Sequence, residues 1–204
     1  MKQRKTQFER KSKETEITGI LTIDGQGKSK IKTHVGILDH MLELFAFHGF
    51  FDLEINVKKA DLNVDIHHTN EDVGIVLGKA FKEALGDKEG IRRFGFCAAP
   101  MEVTFSTMII DISGRGYFKF VTSPASSAAS TQAQDGYALK YLDHFLESFA
   151  HSLGANMILK LENPSVDLHT NLETIFKSFG LALDQATRIE PRRKGVPSTK
   201  GIID

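Results

Sequence analysis

Histidine and glutamate recur in this chain in a doubled pattern. His40, in Asp39-His40-Met41-Leu42, is followed 27 residues later by His67, in His67-His68-Thr69-Asn70-Glu71. His144, in Asp143-His144-Phe145-Leu146, is followed 25 residues later by His169, in His169-Thr170-Asn171-Leu172-Glu173. The first histidines are 104 residues apart, and the later His and Glu positions 102 apart. Imidazole and carboxylate in such sets bind divalent metals, and their repetition implies a duplicated half-domain. On a helix, His67 and Glu71 are i and i+4 and project from one face, where they can share an ion. His68 points about 100° away from them, so it should serve a different ion. His169 and Glu173 make a second i, i+4 pair, with Thr170 standing where symmetry would place a histidine. His40 and His144, one from each half, are placed to complete two separate shells. One histidine beside a carboxylate is ordinarily a surface pair, but five histidines and two glutamates in matched spacings are not. No cysteine belongs to the pattern, which argues against a structural Cys-rich zinc site, and the donors suit Zn, Fe or Mn.

The elements that must position these groups can be read from hydrophobic periodicity. Residues 1–13 are polar and read as a mobile start. Ile17, Gly19, Leu21 and Ile23 alternate with polar neighbours as a strand does, Asp24-Gly25 turns the chain, and residues 28–35 offer a return strand. Leu38, Met41, Leu42 and Phe45 have helical spacing, ending near His48-Gly49. Leu53, Ile55 and Val57 form another strand. Val73, Val76, Leu77, Ala80, Phe81, Ala84 and Leu85 form an apolar helical stripe closed by Gly86. The second half replays this order. Val103 and Phe105, then Met108, Ile110 and Ile112, read as a strand bulged midway. Residues 117–122 follow a turn, 123–136 read as a Ser/Ala-rich loop, and Leu142 to Phe149 as a helix. Met157, Leu159 and Leu161 are strand-like, and Leu172 to Leu183 helical. The expected fold is α+β: two fused, duplicated β-β-α-β-α half-domains with helices packed between two sheets. Half-domain one spans about 14–92 and half-domain two about 93–189, with an irregular tail over 190–204.

Three short motifs place a cation beside glycine or hydroxyl groups and could hold an anion: Gly90-Ile91-Arg92-Arg93-Phe94, Ser113-Gly114-Arg115-Gly116 and Pro197-Ser198-Thr199-Lys200-Gly201. Lys177 lies four residues after Glu173 and should face the metal region. Each motif alone would be an ordinary solvated turn or tail; beside a metal cluster they suggest a phosphate.

At 204 residues with 41% hydrophobic residues the chain can bury a real core. Lys+Arg and Asp+Glu both number 26, so no net field argues for nucleic acid or a membrane surface. The basic start lacks the apolar run of a signal peptide, and no apolar stretch suffices to span a bilayer. The single cysteine, Cys97, excludes an internal disulfide framework. A cytoplasmic protein is expected.

The motifs resemble those of the imidazoleglycerol-phosphate dehydratase family. The matching stretches are Leu38 to Leu42, His48-Gly49-Phe50-Phe51-Asp52, His67 to Asp72, Gly90 to Gly95, Asp111 to Arg115, Phe176-Lys177 and Pro197 to Gly201, with Lys13-Glu14-Thr15 fitting the family's start. The resemblance implies a hydro-lyase of histidine biosynthesis that converts imidazoleglycerol phosphate to imidazole acetol phosphate through a metal-bound imidazolate. It implies Mn2+, two ions per active site. It also implies a homo-oligomer of 24 chains with active sites between subunits. In family terms His40, His67, His68, Glu71, His144, His169 and Glu173 fall on metal-ligand positions. Arg93, Arg115, Lys177, Ser198 and Lys200 fall on phosphate positions, and His48 on a substrate-binding one. Glu14 matches a carboxylate near the reacting carbons, and with Glu71 and Glu173 it completes the expected catalytic carboxylates. Removing a proton from a carbon beside an imidazole is hard unless the ring accepts charge, which two bound ions allow. A positioned carboxylate, Glu14, then moves the proton.

The chain departs from the family pattern mainly in its second half. Thr170 replaces an imidazole at the second metal site, and Asp167 stands where the family has asparagine. Pro100-Met101-Glu102-Val103 departs from Pro-x-Asp-Glu, a histidine is lost within Met157-Ile158-Leu159, and Gly116 replaces a proline. These motivate an alternative: a catalytically impaired homologue that keeps the fold and shell as a phospho-ligand-binding or scaffold protein. A third reading is a metal-dependent lyase or hydrolase acting on another phosphorylated azole or polyol.

Overall fold

The structure, a computed structural model, describes residues 3–121, 133–134 and 136–203. The first half comprises β1 (Lys5–Lys11), β2 (Glu16–Thr22), β3 (Ser29–Lys32), α1 (Gly36–Gly49), β4 (Asp52–Lys59) and α2 (Ile66–Leu85). The second comprises β5 (Phe94–Met101), β6 (Thr104–Asp111), β7 (Tyr117–Val121), the short pair β8 (Ala133–Gln134) and β9 (Tyr137–Ala138), α3 (Leu139–Leu153), β10 (Asn156–Glu162) and α4 (Leu168–Thr187). The sheets have matching orders, β1-β2-β4-β3 and β5-β6-β10-β7. In each the last strand joins in parallel and the others antiparallel. Each half therefore carries the expected β-β-α-β-α order with one further strand at its front, and the second half adds the short β8–β9 pair before α3. The loop expected over 123–136 lies mostly outside the described residues.

Two local expectations are corrected. Residues 5–11 are not a mobile start: β1 pairs with β2 along its whole length. Its pattern is faint in the sequence because only Thr6, Phe8 and Arg10 turn inward, with Lys5, Gln7, Glu9 and Lys11 exposed. No bulge interrupts β6, whose register with β5 and β10 is continuous. Its inward phase is Thr104, Ser106, Met108 and Ile110. Ser106 is buried as a polar residue because its hydroxyl donates to Thr174 O at 2.7 Å and lies 2.8 Å from Ser178 Oγ. Val103 sits in the β5–β6 turn, 75% exposed.

The helices form a layer between the sheets. α2 packs on β1 and β2 and α1 on β3, while α4 packs on β5 and β6 and α3 on β7. Across the layer each helix of one half pairs with one of the other, α1 with α4 and α2 with α3. Phe45, Phe81, Phe149 and Phe179 meet at the centre with ring centroids 4.6–6.0 Å apart. Two glycines at the 102-residue offset allow the close approach. A Cβ on Gly78 would stand 2.5 Å from Phe149 O, and one on Gly180 2.6 Å from Phe45 O. The contacts also set direction. His40 lies by Glu173 and Phe45 by Gly180, so α1 and α4 run parallel and bring their N-terminal turns together.

Candidate metal centre

The parallel pairing exchanges histidines between the halves. His40, on the first turns of α1, faces the other half's pair on α4. His40 Nε2 is 3.4 Å from Glu173 Oε1, and His169 Nε2 is 3.0 Å from the same oxygen. The two imidazoles stack with centroids 5.2 Å apart. Donor atoms of His40, His169 and Glu173 all lie within 4.8 Å of one another, and all three residues are half-buried. A cleft of about 380 Å3 opens beside His40 and His169, lined also by Ile37, Leu62, Ile66 and Gln134.

The pseudo-symmetric set lies where α2 meets α3. His67 Nε2 is 3.5 Å from Glu71 Oε2, as i, i+4 spacing dictates, and His144 Nδ1 is 2.9 Å from His67 Nδ1. His67 thus turns one ring nitrogen to the carboxylate of its own half and the other to the histidine of the opposite half.

His68 points elsewhere, as its 100° offset requires. Its Nδ1 is 2.9 Å from Asp61 Oδ2 and 4.0 Å from Glu14 Oε1. The hydrogen bond to Asp61 raises the His68 pKa against the opposing effect of burial, and the Glu14 charge adds to the rise. No motif in the sequence points to Asp61. It stands in the irregular stretch before α2, and no spacing rule links it to His68. At the place symmetric with His68, Thr170 donates its hydroxyl to Asp167 Oδ2 at 3.0 Å, and Asp167 also caps α4 by accepting from His169 N at 3.1 Å. Thr170 and Asp167 are therefore turned to one another.

Lys177 Nζ sits 2.5 Å from Glu173 Oε2, as the sequence spacing predicts. Burial works to raise the Glu173 pKa, but the Lys177 ammonium and the hydrogen bonds from His40 and His169 outweigh it and hold the carboxyl at about 2. Glu173 stays ionised at any physiological pH. His48, near the end of α1, feels the same neighbourhood: burial and the Lys177 charge lower its pKa, with Glu173 opposing.

The anion motifs differ in how occupied they are. Arg93, at φ 72°, forms a bidentate pair with Asp111 (2.6 and 3.1 Å) and donates to Pro197 O at 3.0 Å. Its fork therefore ties the second sheet to the tail. Arg115 and Lys200 are exposed. Their backbone N–H groups turn to Ser113 Oγ and Ser198 Oγ respectively, at 3.4 and 3.2 Å. The tail itself is anchored through Gly90 N to Gly195 O, Glu190 N to Gly90 O and an Ile91–Ile189 bridge. A larger hollow of about 790 Å3 lies on the outer face of the first sheet against Gln7, Thr18, Ile20 and Glu54, and none of the predicted site residues lines it.

A family model for imidazoleglycerol-phosphate dehydratase matches residues 33–183, a span holding both crossed sets. The imidazoleglycerol-phosphate dehydratases of Geobacter metallireducens and Thermoanaerobacter sp. are each 44% identical over 201 and 200 residues, covering 98% of this chain and 99% and 100% of theirs. Among solved structures, imidazoleglycerol-phosphate dehydratase from Pyrococcus furiosus aligns with a TM-score of 0.79 at 34% identity, covering 96% of this chain and 99% of that one. The Staphylococcus aureus structure aligns with a TM-score of 0.78 at 30% identity, covering 91% and 99%.

Proposed function

We propose, from the premise that the chain belongs to the imidazoleglycerol-phosphate dehydratase family, a division of labour among its own residues. The chain is a hydro-lyase of histidine biosynthesis that dehydrates imidazoleglycerol phosphate to imidazole acetol phosphate. Net loss of water takes a hydroxyl from one carbon of the glycerol chain and a proton from its neighbour, and the enol that remains becomes the ketone.

The observation that carries the reading is the crossing of the two halves: His40 joins His169 and Glu173, and His144 joins His67 and Glu71. Convergent imidazoles and an ionised carboxylate, with no thiolate, fit a divalent ion such as Mn2+. His40, His67, His68, Glu71, His144, His169 and Glu173 are the residues that would hold two such ions. When bound, they supply Lewis acidity that draws charge out of the substrate's imidazole ring. Thr170 leaves one position without an imidazole. The family match along nearly the whole chain favours the active reading over an impaired scaffold.

Around that centre, Arg115, Ser198 and Lys200 grip the phosphate, with Lys177 contributing charge and Arg93 holding the tail that presents Ser198 and Lys200. This grip orients the substrate without taking part in bond breaking. Glu14, half-exposed beside His68, takes and returns the proton, and His48 lines the substrate side near Lys177. We further assign two half-domains joined near residue 93, with a tail from 190, assembly into a 24-chain shell with sites between subunits, and a cytoplasmic location. No helix among the described residues is long and apolar enough to cross a membrane. Turnover of imidazoleglycerol phosphate with added Mn2+, set beside a metal-stripped sample, tests the reading. Metal-dependent release of the ketone supports it; no turnover under any metal condition contradicts it.

A further inference from the structure

Asp72 follows Glu71 on α2 and is 6% exposed. Its Oδ1 lies 2.8 Å from Arg10 Nη2 on β1, and its Oδ2 accepts from Thr15 Oγ1 at 2.5 Å. One carboxylate thus fastens α2 to both flanks of the β1–β2 turn, whose residues 12–15 include Glu14. The turn is stiffened by Ser12, whose Oγ accepts from Glu14 N (3.1 Å) and Thr15 N (3.0 Å) and whose own N donates to Thr15 O (2.9 Å). Asp72 is i+4 from His68, so the fastened turn lies along the face of α2 that carries His68. Glu14 Oε1 ends 4.0 Å from His68 Nδ1.

A buried charge is costly, and the duplicated half shows that packing here does not demand one. The sheet registers make Ala99 the counterpart of Arg10, since Arg10 pairs with Ile17 and Ala99 with Ser106 at matching places. The same correspondence pairs Thr15 with Thr104, and the helix offset pairs Asp72 with Thr174. All three counterparts are buried without a charge. Thr174 bonds within its own helix to Asn171 O, and Thr104 bonds to Asn163 O. The two turns are of equal length, Ala99 to Thr104 matching Arg10 to Thr15, and Val103 stands where the first half has Glu14. The bridge is even imperfect as a fold element: Arg10 Nε is buried with no hydrogen-bond partner among the described residues. The charged bridge therefore occurs only in the half whose turn carries Glu14.

We propose that the Arg10–Asp72–Thr15 bridge is a positioning device for Glu14. It pins the β1–β2 turn to α2 so that the Glu14 carboxylate stands over His68, facing the substrate. This rests on the assignment of the proton-moving role to Glu14. Arg10, Asp72 and Thr15 touch no reacting atom and act through Glu14 alone.

The test uses the assembled enzyme with Mn2+ and imidazoleglycerol phosphate. A double variant, Arg10→Ala with Asp72→Thr, imports the uncharged arrangement of the second half. It is expected to lose roughly 10- to 100-fold in kcat, as about 1 Å of misplacement does. KM, metal content and thermal midpoint should stay near those of the parent. Adding Glu14→Gln to it should slow it no further than Glu14→Gln alone, because both act on one group. Thr15→Ser, which keeps the hydroxyl, should retain kcat, and Thr15→Val should lose it; this pair decides the matter if the double variant does not fold. Parental kcat in a folded double variant, or in Thr15→Val, overturns the inference, as do additive losses with Glu14→Gln. Parental kcat in Glu14→Gln itself overturns the Glu14 assignment and this inference with it, whereas loss there with none in the double variant overturns the inference alone.

Discussion

His40 Nε2 lies 3.4 Å from Glu173 Oε1 although 133 residues of chain separate them. Each half of the molecule supplies a histidine that its own later His/Glu pair does not meet, and the opposite half receives it. The parallel packing of α1 against α4, and of α2 against α3, makes this exchange unavoidable, because in each pair the first turns of both helices lie together.

Glu71→Gln and Glu173→Gln should each abolish turnover at limiting metal, by at least about 100-fold. Each removes a charged donor from a site with few to spare, and ligand shells lose about 10- to 100-fold even when only a supporting group is removed. Steady-state turnover against added Mn2+ checks this, and unchanged rates at limiting metal would contradict it.

Thr170→His should tighten binding of one ion by about 10-fold or more, judged by the size of such ligand effects. The substitution restores an imidazole at the place symmetric with His68 and releases Asp167 from its bond to the threonine hydroxyl. Metal titration of stripped enzyme measures it. An unchanged affinity and stoichiometry would show that another group already fills the position.

Gly78→Ala and Gly180→Ala should each destabilise the fold by about 1–3 kcal/mol, the usual cost of overfilling a close-packed contact. The new methyl would press on Phe149 O or Phe45 O, and the helices would have to part. In a chain of this size the thermal midpoint should fall by about 2–4 °C per kcal/mol. Because those contacts hold the crossed histidines in register, weaker metal retention should accompany the loss.

Arg115→Ala and Lys200→Ala should raise KM by about 10-fold each, since a charge-assisted hydrogen bond to an anion is worth about 1.5–3 kcal/mol. They should leave kcat within a few-fold if these residues grip the phosphate alike before and during reaction. An unchanged KM in both would move the phosphate site elsewhere.

The helices and their stripes were legible in the sequence because Leu38 to Phe45 and Val73 to Leu85 each bury one continuous face. The duplication was legible from the offsets of His and Glu alone. β5 was not, and its residues show why. Its inward side chains are Gly95, Cys97 and Ala99, small because a Cβ on Gly95 would stand only 1.8 Å from Ala182 O, while its large residues Phe94 and Phe96 face outward. Hydrophobic alternation there has the wrong sign. The i, i+4 His/Glu pairs were legible because helical geometry fixes them. The partners of Asp61, Asp72 and Asp111 were not, since each reaches its partner through tertiary packing that no local spacing encodes.

The most direct test is anomalous scattering at the manganese edge from crystals of the Mn2+-loaded enzyme. The account predicts peaks bordered by His40, His169 and Glu173 and by His67, Glu71 and His144, each with donors from both halves. Peaks elsewhere, or none at these residues in an enzyme that still turns over, would contradict it.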